Sequence, residues 1–507
     1  MNTAALRTLL IYAVILPLAV FIGWTVSGDM TRTSFSVLAA IVFFLLLPVL
    51  LKWHHEMLIF SWSTSITIFF LPGKPALWMV MAGLNFGIAV LRRIMLKRQA
   101  FIPAPSVSLS LLALLIVVVV TGHLTGGFGL QILGSSAQGG KRYYDIIAAI
   151  VGYFALVSQP IPPSRVKFFL ALLLLPASIA ALSNLIYYAG PSFYFLFLII
   201  PVGFAGVQAM SDSAGSVARV AGFSVAASAI SYYMLAMHGV RGVFSRWWRV
   251  VFLVLVLGVG AMGGFRTLLL LFGLIFIILF LLEGLLRSPI FPGLLLCGAL
   301  GFVVLIPLAP KLPHSVQRTL SFLPLEIDRG VREDARASVE WRVKMWKAVV
   351  PEIPQYFWLG KGYSINPTDL YLAEQAQRYY RTTQYDSFAL VGNYHSGPLS
   401  LIIPFGVFGV LSFLAFLVAA SRVLYLNYCY GSVELRTYNR FFYAYFCSKI
   451  IFFFIVFGSL FSDLYVFVGI VGFSVALNNG VCRKPALVQR PVVFRGRMAL
   501  SSPSGAA

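Results

Sequence analysis

Leu111-Leu-Ala-Leu-Leu-Ile-Val-Val-Val-Val120 is an unbroken apolar run. A strand in a membrane barrel alternates apolar and polar side chains with period two, so this run is helical. A helix needs about 20 residues to cross the hydrocarbon layer, and the candidate span extends back to Val107 through Ser108, Leu109 and Ser110. Comparable runs recur along nearly all of the 507 residues, which are 60% hydrophobic and only 11% charged, with a mean hydropathy of +0.89. A soluble globular enzyme carries about a quarter charged residues, and a disordered chain is poor in aliphatic and aromatic side chains. Both classes are excluded. The expected fold is an all-α polytopic integral membrane protein with about 12–15 transmembrane helices and one long helical extracytoplasmic loop.

The candidate crossings, fifteen at most, are Leu10 to Val26, Phe35 to Leu51, Met57 to Leu71, Ala76 to Leu91, Val107 to Val120, Ile146 to Val157, Val166 to Tyr188 and Phe193 to Val207 in the first part of the chain. Phe223 to Met237, Val250 to Met262, Thr267 to Leu282, Ile290 to Leu308, Leu399 to Ala420, Phe441 to Phe457 and Leu464 to Leu477 follow. Leu10 to Val26 follows a lone Arg7 as a signal peptide would, but further spans come at once and it is expected to be retained. The organisation is an N-terminal transmembrane region (1–210), a transmembrane region with outward arginines (211–308), an extracytoplasmic loop (309–396), a C-terminal transmembrane region (397–480) and a cytoplasmic basic tail (481–507).

Lys and Arg number 38 against 16 Asp and Glu, a net charge of +22. Short basic loops resist translocation, which puts Arg92, Arg93, Lys97 and Arg98, then Arg241, Arg246 and Arg249, then the tail from Arg483 to Arg497 on the cytoplasmic side. From Arg249 onward the crossings alternate as these clusters require. Between Arg98 and Arg241 five candidates stand where an even number is needed; the short Ile146 to Val157 or the Pro201-bearing Phe193 to Val207 is not a full crossing. The long loop carries eleven basic and nine acidic residues, leaving +20 on the rest of the chain. The excess is therefore largely topogenic and lipid-facing, which argues against a nucleic-acid partner.

Within the loop, Trp341, Met345 and Val349 repeat at helical spacing from Asp334 to Val350, with Pro351 as the stop, and a second helix is expected over Asp369 to Tyr380. The four cysteines lie in or beside apolar spans, so the loop has no disulfide framework or zinc motif. It also has no Asp-x-Asp pair and no nucleotide-binding glycine loop.

Several residues carry candidate chemistry. Arg266, in Met262-Gly-Gly-Phe-Arg-Thr267, opens an apolar run with almost no polar cover; it either meets an anion or snorkels to headgroups. Arg219 stands in the same position ahead of another span. Arg342 lies on the amphipathic loop helix. In Leu359-Gly-Lys-Gly-Tyr363, Gly360 and Gly362 flank Lys361, a spacing that lets backbone amides approach a phosphate or simply forms a turn. In Asn393-Tyr-His-Ser-Gly397, Tyr394 and His395 sit where the chain re-enters the membrane, and a histidine there suits a general base. His54, His55 and His238 read as structural; His123 and His314 stay open.

The order of these features resembles the O-antigen ligase and O-antigen polymerase superfamily of bacterial envelope proteins, most clearly from Val217 to Ala420. Arg219 with Gly222-Phe223, Arg266 opening a span, Arg342 followed by Trp346, Gly360-Lys-Gly-Tyr363, and His395 ahead of Gly406-Val-Phe-Gly409 carry it. The family often has His-Asn where this chain has His395-Ser396. The resemblance implies transfer of a glycan from undecaprenyl diphosphate to a lipid or glycan hydroxyl acceptor at the periplasmic face of the bacterial inner membrane, within lipopolysaccharide or other polysaccharide biosynthesis. With no acidic pair and no nucleotide-binding glycine loop, nothing in the sequence calls for a metal or a cofactor. Arg266 and Arg342 with His395 would be catalytic, and Arg219, Gly360, Lys361, Gly362 and Tyr394 substrate-binding. Ligase and polymerase remain alternatives, as does a protein O-glycosylating member. A transporter or flippase of lipid-linked glycan is the reading from another class.

Overall fold

The computed structural model describes residues 51–96, 101–128, 140–201, 219–365 and 392–484, apart from Pro72 and Gly127 and with a few isolated positions elsewhere. Its regular structure is helical, apart from isolated bridge positions such as the pair Thr67 to Ala76. The helices are α1 (Leu77–Leu96), α2 (Pro105–Leu124), α3 (Lys141–Leu156), α4 (Val166–Leu174), α5 (Ala180–Ala189), α6 (Ala221–Phe244), α7 (Trp247–Ala261) and α8 (Arg266–Leu282). They continue as α9 (Ile290–Leu308), α10 (His314–Thr319), α11 (Arg329–Val349), α12 (Ile353–Tyr356), α13 (Gly397–Tyr430), α14 (Arg436–Ile451) and α15 (Leu460–Leu477). Eight helical stretches among the described residues are long and apolar enough to span a membrane, and α7 and α8 are shorter apolar helices. The protein is an all-α polytopic membrane protein.

The degree of burial orders the bundle from centre to rim. In α15, 78% of the spanning window is buried inside the protein, whereas in α9 none is, so α9 lies at the rim with only its first turns, through Ile290, Phe291 and Leu294, packed partly against the core. The centre is aromatic: Phe413 and Phe416 of α13, Phe441, Phe442 and Phe446 of α14, and Phe467 and Phe473 of α15 are fully buried. Lipid tails are as apolar as these rings, so their contribution is close packing rather than escape from water. Glycines let the helices approach. A Cβ on Gly469 of α15 would overlap the Trp62 indole, and one on Gly260 of α7 would overlap Ala227 of α6.

Two candidate crossings are not spans. The helical segment over 51–62 ends in a turn, and Thr67 to Ala76 forms the isolated bridge, so Met57 to Leu71 is broken after its first part. Phe193 to Val207 begins within a short 3-10 stretch, Pro191–Leu198, and Gly190 and Pro191 interrupt the preceding helix; residues 202–218 lie outside the described set. By contrast α3 is one unbroken helix of 16 residues, half of them buried. Its Tyr143 hydroxyl accepts from Tyr363 N of the long loop at one end, and the Val157 carbonyl after its other end accepts from Ile102 N at 2.9 Å. Between Arg98 and Arg241, α2, the stretch Pro163–Ala189 and α6 are long and apolar enough to span a membrane, and α3 is a 16-residue helix among them.

The expected loop helix exists and begins earlier than Asp334, at Arg329, because Asp328 caps it: its side chain accepts from Val331 N at 3.1 Å. Met345 and Val349 form the buried stripe, against Tyr394, Leu399 and Ile403. The candidate helix at Asp369 to Tyr380, the spans Leu10 to Val26 and Phe35 to Leu51, and the tail beyond Lys484 fall mostly or wholly outside the described residues.

Candidate functional site

The long loop folds down onto one end of the bundle, and arginines make the junction. The turn between α7 and α8 contains Gly263 and Gly264. A Cβ on Gly263 would overlap the Ser224 hydroxyl, and Gly264 (φ +72°) lies against the aliphatic stem of Arg219. Glycine permits both the left-handed backbone and that approach. The Gly264 carbonyl accepts from Arg318 Nη1 at 2.7 Å, and the Ala261 carbonyl accepts from Thr319 Oγ1 at 2.8 Å, which seats α10 on the turn.

Asp334 of α11 joins two arginines. Its Oδ2 accepts from Arg318 Nε and from Arg219 Nη2, the latter at 3.4 Å, while both arginine side chains are nearly buried. One residue on, the Ala335 carbonyl accepts from Arg266 Nη2 at 3.3 Å. Arg219 and Arg266, from different parts of the bundle, thus converge on the first half of α11. Arg318 was not a candidate from sequence; an arginine next to Thr319 in a polar loop gives no pattern that distinguishes it from a solvated one.

Arg342 lies eight residues beyond Asp334, about 12 Å along the helix axis, with its guanidinium 5.8 Å from the centre of the Phe457 ring. The His395 ring lies 5.1 Å from that same ring and 5.2 Å from Trp341. His395 is held in the left-handed region (φ 49°), where a β-carbon is crowded. Its neighbours maintain the conformation. Trp346 Nε1 donates to the Tyr394 carbonyl at 2.8 Å, and a Cβ on Gly397 would overlap the Phe453 carbonyl. That carbonyl belongs to a π-helical turn, Phe452–Val456, between α14 and α15.

Positive charge dominates the electrostatics. Arg266 and Arg342 form no ion pair among the described residues. Burial, then the charges of Arg266 and Arg318, lower the Arg342 guanidinium from its ordinary value. Burial, then Arg318, lower Arg219 to about 10 despite Asp334. Arg219 therefore stays protonated at neutral pH. Burial and the nearby Arg342 push His395 down to about 4, so the imidazole is neutral and able to accept a proton. A cavity of about 630 Å³ opens beside this cluster, with Arg266, Arg332, Arg336, Glu326 and Glu340 in its wall; Arg342 and His395 do not line it.

Gly360, Lys361 and Gly362 occupy a different position. Pro404 and Gly406 (φ 60°) break α13, and the segment that starts at Phe357 fills the gap: Lys361 N donates to Ile403 O at 2.7 Å, Gly362 N to Pro404 O at 2.9 Å, and Val407 N to Phe357 O at 2.7 Å. A Cβ on Gly360 would overlap the Pro404 carbonyl. These amides are committed to the broken helix, which would otherwise leave carbonyls unpaired at membrane depth. The Lys361 ammonium stands 3.9 Å from Glu352 Oε2. Tyr394 is buried, and burial raises its hydroxyl well above the ordinary tyrosine value.

Residues 250–414 match the family described as O-antigen ligase. The match supports the O-antigen ligase and polymerase superfamily, and it takes in Arg266, Arg318, Asp334, Arg342 and His395 while leaving Arg219 outside. No curated protein matches the chain.

Proposed function

We propose that the protein is an O-antigen ligase-like glycosyltransferase, which moves a glycan from undecaprenyl diphosphate to a hydroxyl acceptor at the periplasmic face of the inner membrane. One observation carries this reading: arginines from the entry to α6 and from α8, α10 and α11 gather at one end of the bundle beside a histidine that is neutral at physiological pH. Arg219, Arg266, Arg318 and Arg342 would hold the diphosphate, whose negative charge grows as the bond to the anomeric carbon breaks. His395 would take the proton of the acceptor hydroxyl as that oxygen bonds to the anomeric carbon from the opposite side, giving inversion. The cavity between α11 and the segment around Leu325, walled by charged side chains, has room for sugars of the transferred glycan.

The test is transfer in liposomes from an undecaprenyl-diphosphate-linked glycan. His395→Ala is expected to lose about 10²- to 10⁴-fold in rate, the usual size for positioned proton transfer. Unchanged transfer would remove His395 from the mechanism. The polymerase alternative rests on the same residues and is separated by product: a polymerase lengthens the glycan, a ligase moves it once onto a different acceptor. Flipping of donor with no transfer would favour the transporter reading.

A further inference from the structure

Arg142 lies in the first turn of α3, in the part of the chain that precedes the family match. Its guanidinium centre lies 4.5 Å from the Phe461 ring centre and 5.5 Å from that of Tyr363. Among the described residues its Nη1, shut off from solvent, has no hydrogen-bond partner, and the side chain forms no ion pair. A buried guanidinium presents fixed donors, and leaving one unused is costly unless an anion completes it. Asp145, one turn along α3, acts on it only at longer range.

The location of Arg142 gives the orphan a meaning. Arg342 stacks on Phe457 and Arg142 on Phe461, the two rings lying on either side of Gly458 and Ser459 where the chain passes from the π-helical stretch into α15. The charge of Arg142 acts on the Tyr394 hydroxyl, whereas that of Arg342 acts on the adjacent His395. Gly392 (φ +69°) keeps the approach open: a Cβ there would sit 2.8 Å from Arg142 Nη1. One loop segment, 392–395, therefore has a cluster of arginines on its α11 side and a lone arginine on its α3 side.

We infer that Arg142 binds a phosphoryl group of the acceptor, across His395 from the arginines that hold the donor. Where the acceptor itself carries a phosphoryl group, the transferase brings together two anionic molecules, and separate cationic seats on either side of the base keep both from competing for one. The inference rests on the proposed transferase reading for the identity of the ligand, not for the existence of the anion site.

The full chain in a neutral maltoside detergent is titrated with inorganic phosphate by calorimetry, as wild type, Arg142→Gln, Arg142→Lys and Arg342→Gln. Arg142→Gln is expected to weaken one class of phosphate site by about tenfold, Arg142→Lys to retain much of it, and Arg342→Gln to affect the other class. In liposomes, Arg142→Gln is expected to raise KM for the acceptor by a similar factor, with KM for the donor and kcat within about twofold. A phosphate isotherm unaltered by Arg142→Gln overturns the proposal, as does a KM effect that falls on the donor. A defect seen in phosphatidylglycerol liposomes and absent in phosphatidylcholine assigns Arg142 to a lipid headgroup and also overturns it. If wild type transfers no glycan yet Arg142-dependent phosphate binding persists, the transferase reading fails and the anion site stands.

Discussion

The acid limb of the pH–rate profile is the most direct probe of His395. An ordinary histidine, with a pKa near 6.5, would be about nine-tenths neutral at pH 7.5 and about one-tenth at pH 5.5, so transfer relying on it as base would fall roughly tenfold over that range. His395 is held down to about 4, first by burial against Trp341 and Phe457 and then by the charge of Arg342. At pH 5.5 it is still almost wholly neutral, and kcat/KM should be nearly flat from about pH 7.5 to 5.5 before falling below about pH 5. Arg342→Met removes the second cause and leaves the first. The limb is then expected to move upward yet remain below 6.5, whatever the loss in absolute rate. The assay is initial-rate transfer in liposomes buffered identically on both sides. A wild-type limb near 6.5, or a limb unmoved by Arg342→Met, would refute this account of the base. Stability follows the same linkage: between about 4 and 6.5 the unfolded chain binds this proton and the folded one does not. Folding should therefore lose stability as pH falls through that window.

Other perturbations probe the scaffold. Gly406→Ala forces a Cβ into the Trp358 carbonyl at a positive φ, and a loss of about 1–3 kcal/mol is expected, read as a lower thermal midpoint in detergent. Asp334→Asn leaves Arg318 and Arg219 uncompensated; a fall in thermal midpoint that added pyrophosphate reverses is the expected result, and an unaltered midpoint would show that the pair contributes little. Lys449 and Asp463 pair at 2.7 Å in the buried contact of α14 with α15. Either single change, Lys449→Met or Asp463→Asn, should cost about 3–5 kcal/mol, and the double replacement Lys449→Met with Asp463→Leu should be far milder, as judged by thermal unfolding.

Apolar periodicity made the helices and the buried stripe of α11 legible, because burial of Met345 and Val349 depends on local spacing. Gly190-Pro191 accounts for the failure of the run after Phe193 as a span. The break in Met57 to Leu71 falls at Ser63-Thr-Ser65, short hydroxyl side chains that the apolar residues on either side outweigh in a hydropathy average, and beyond it Thr67 pairs as a bridge with Ala76. Arg219, Arg266, Arg342 and His395 stood out as charged or titratable groups at apolar boundaries or on the amphipathic loop helix. Arg318 and Arg142 did not: their significance lies in partners that are remote in sequence, Gly264 and Asp334 for one, Phe461 and Tyr363 for the other.

The glycine-lysine-glycine sequence shows how a local motif and its use can part. Read alone, two glycines around a lysine suit a phosphate. In the folded chain the Lys361 and Gly362 amides satisfy Ile403 and Pro404 across the break in α13, and that break shares its helix with the turn that presents His395. The glycines therefore act on the site through the shape of α13. With the break satisfied, the first part of α13 holds its own direction, and its opening turn stays wedged between Trp346 of α11 and Phe453 of the π-helical turn. Gly360→Ala should accordingly disturb His395 at a distance, lowering kcat together with the thermal midpoint. Lys361→Gln leaves every backbone bond unchanged and should leave both quantities nearly intact. A large loss of donor affinity in Lys361→Gln, measured as KM for the lipid-linked glycan, would instead return the lysine to the substrate.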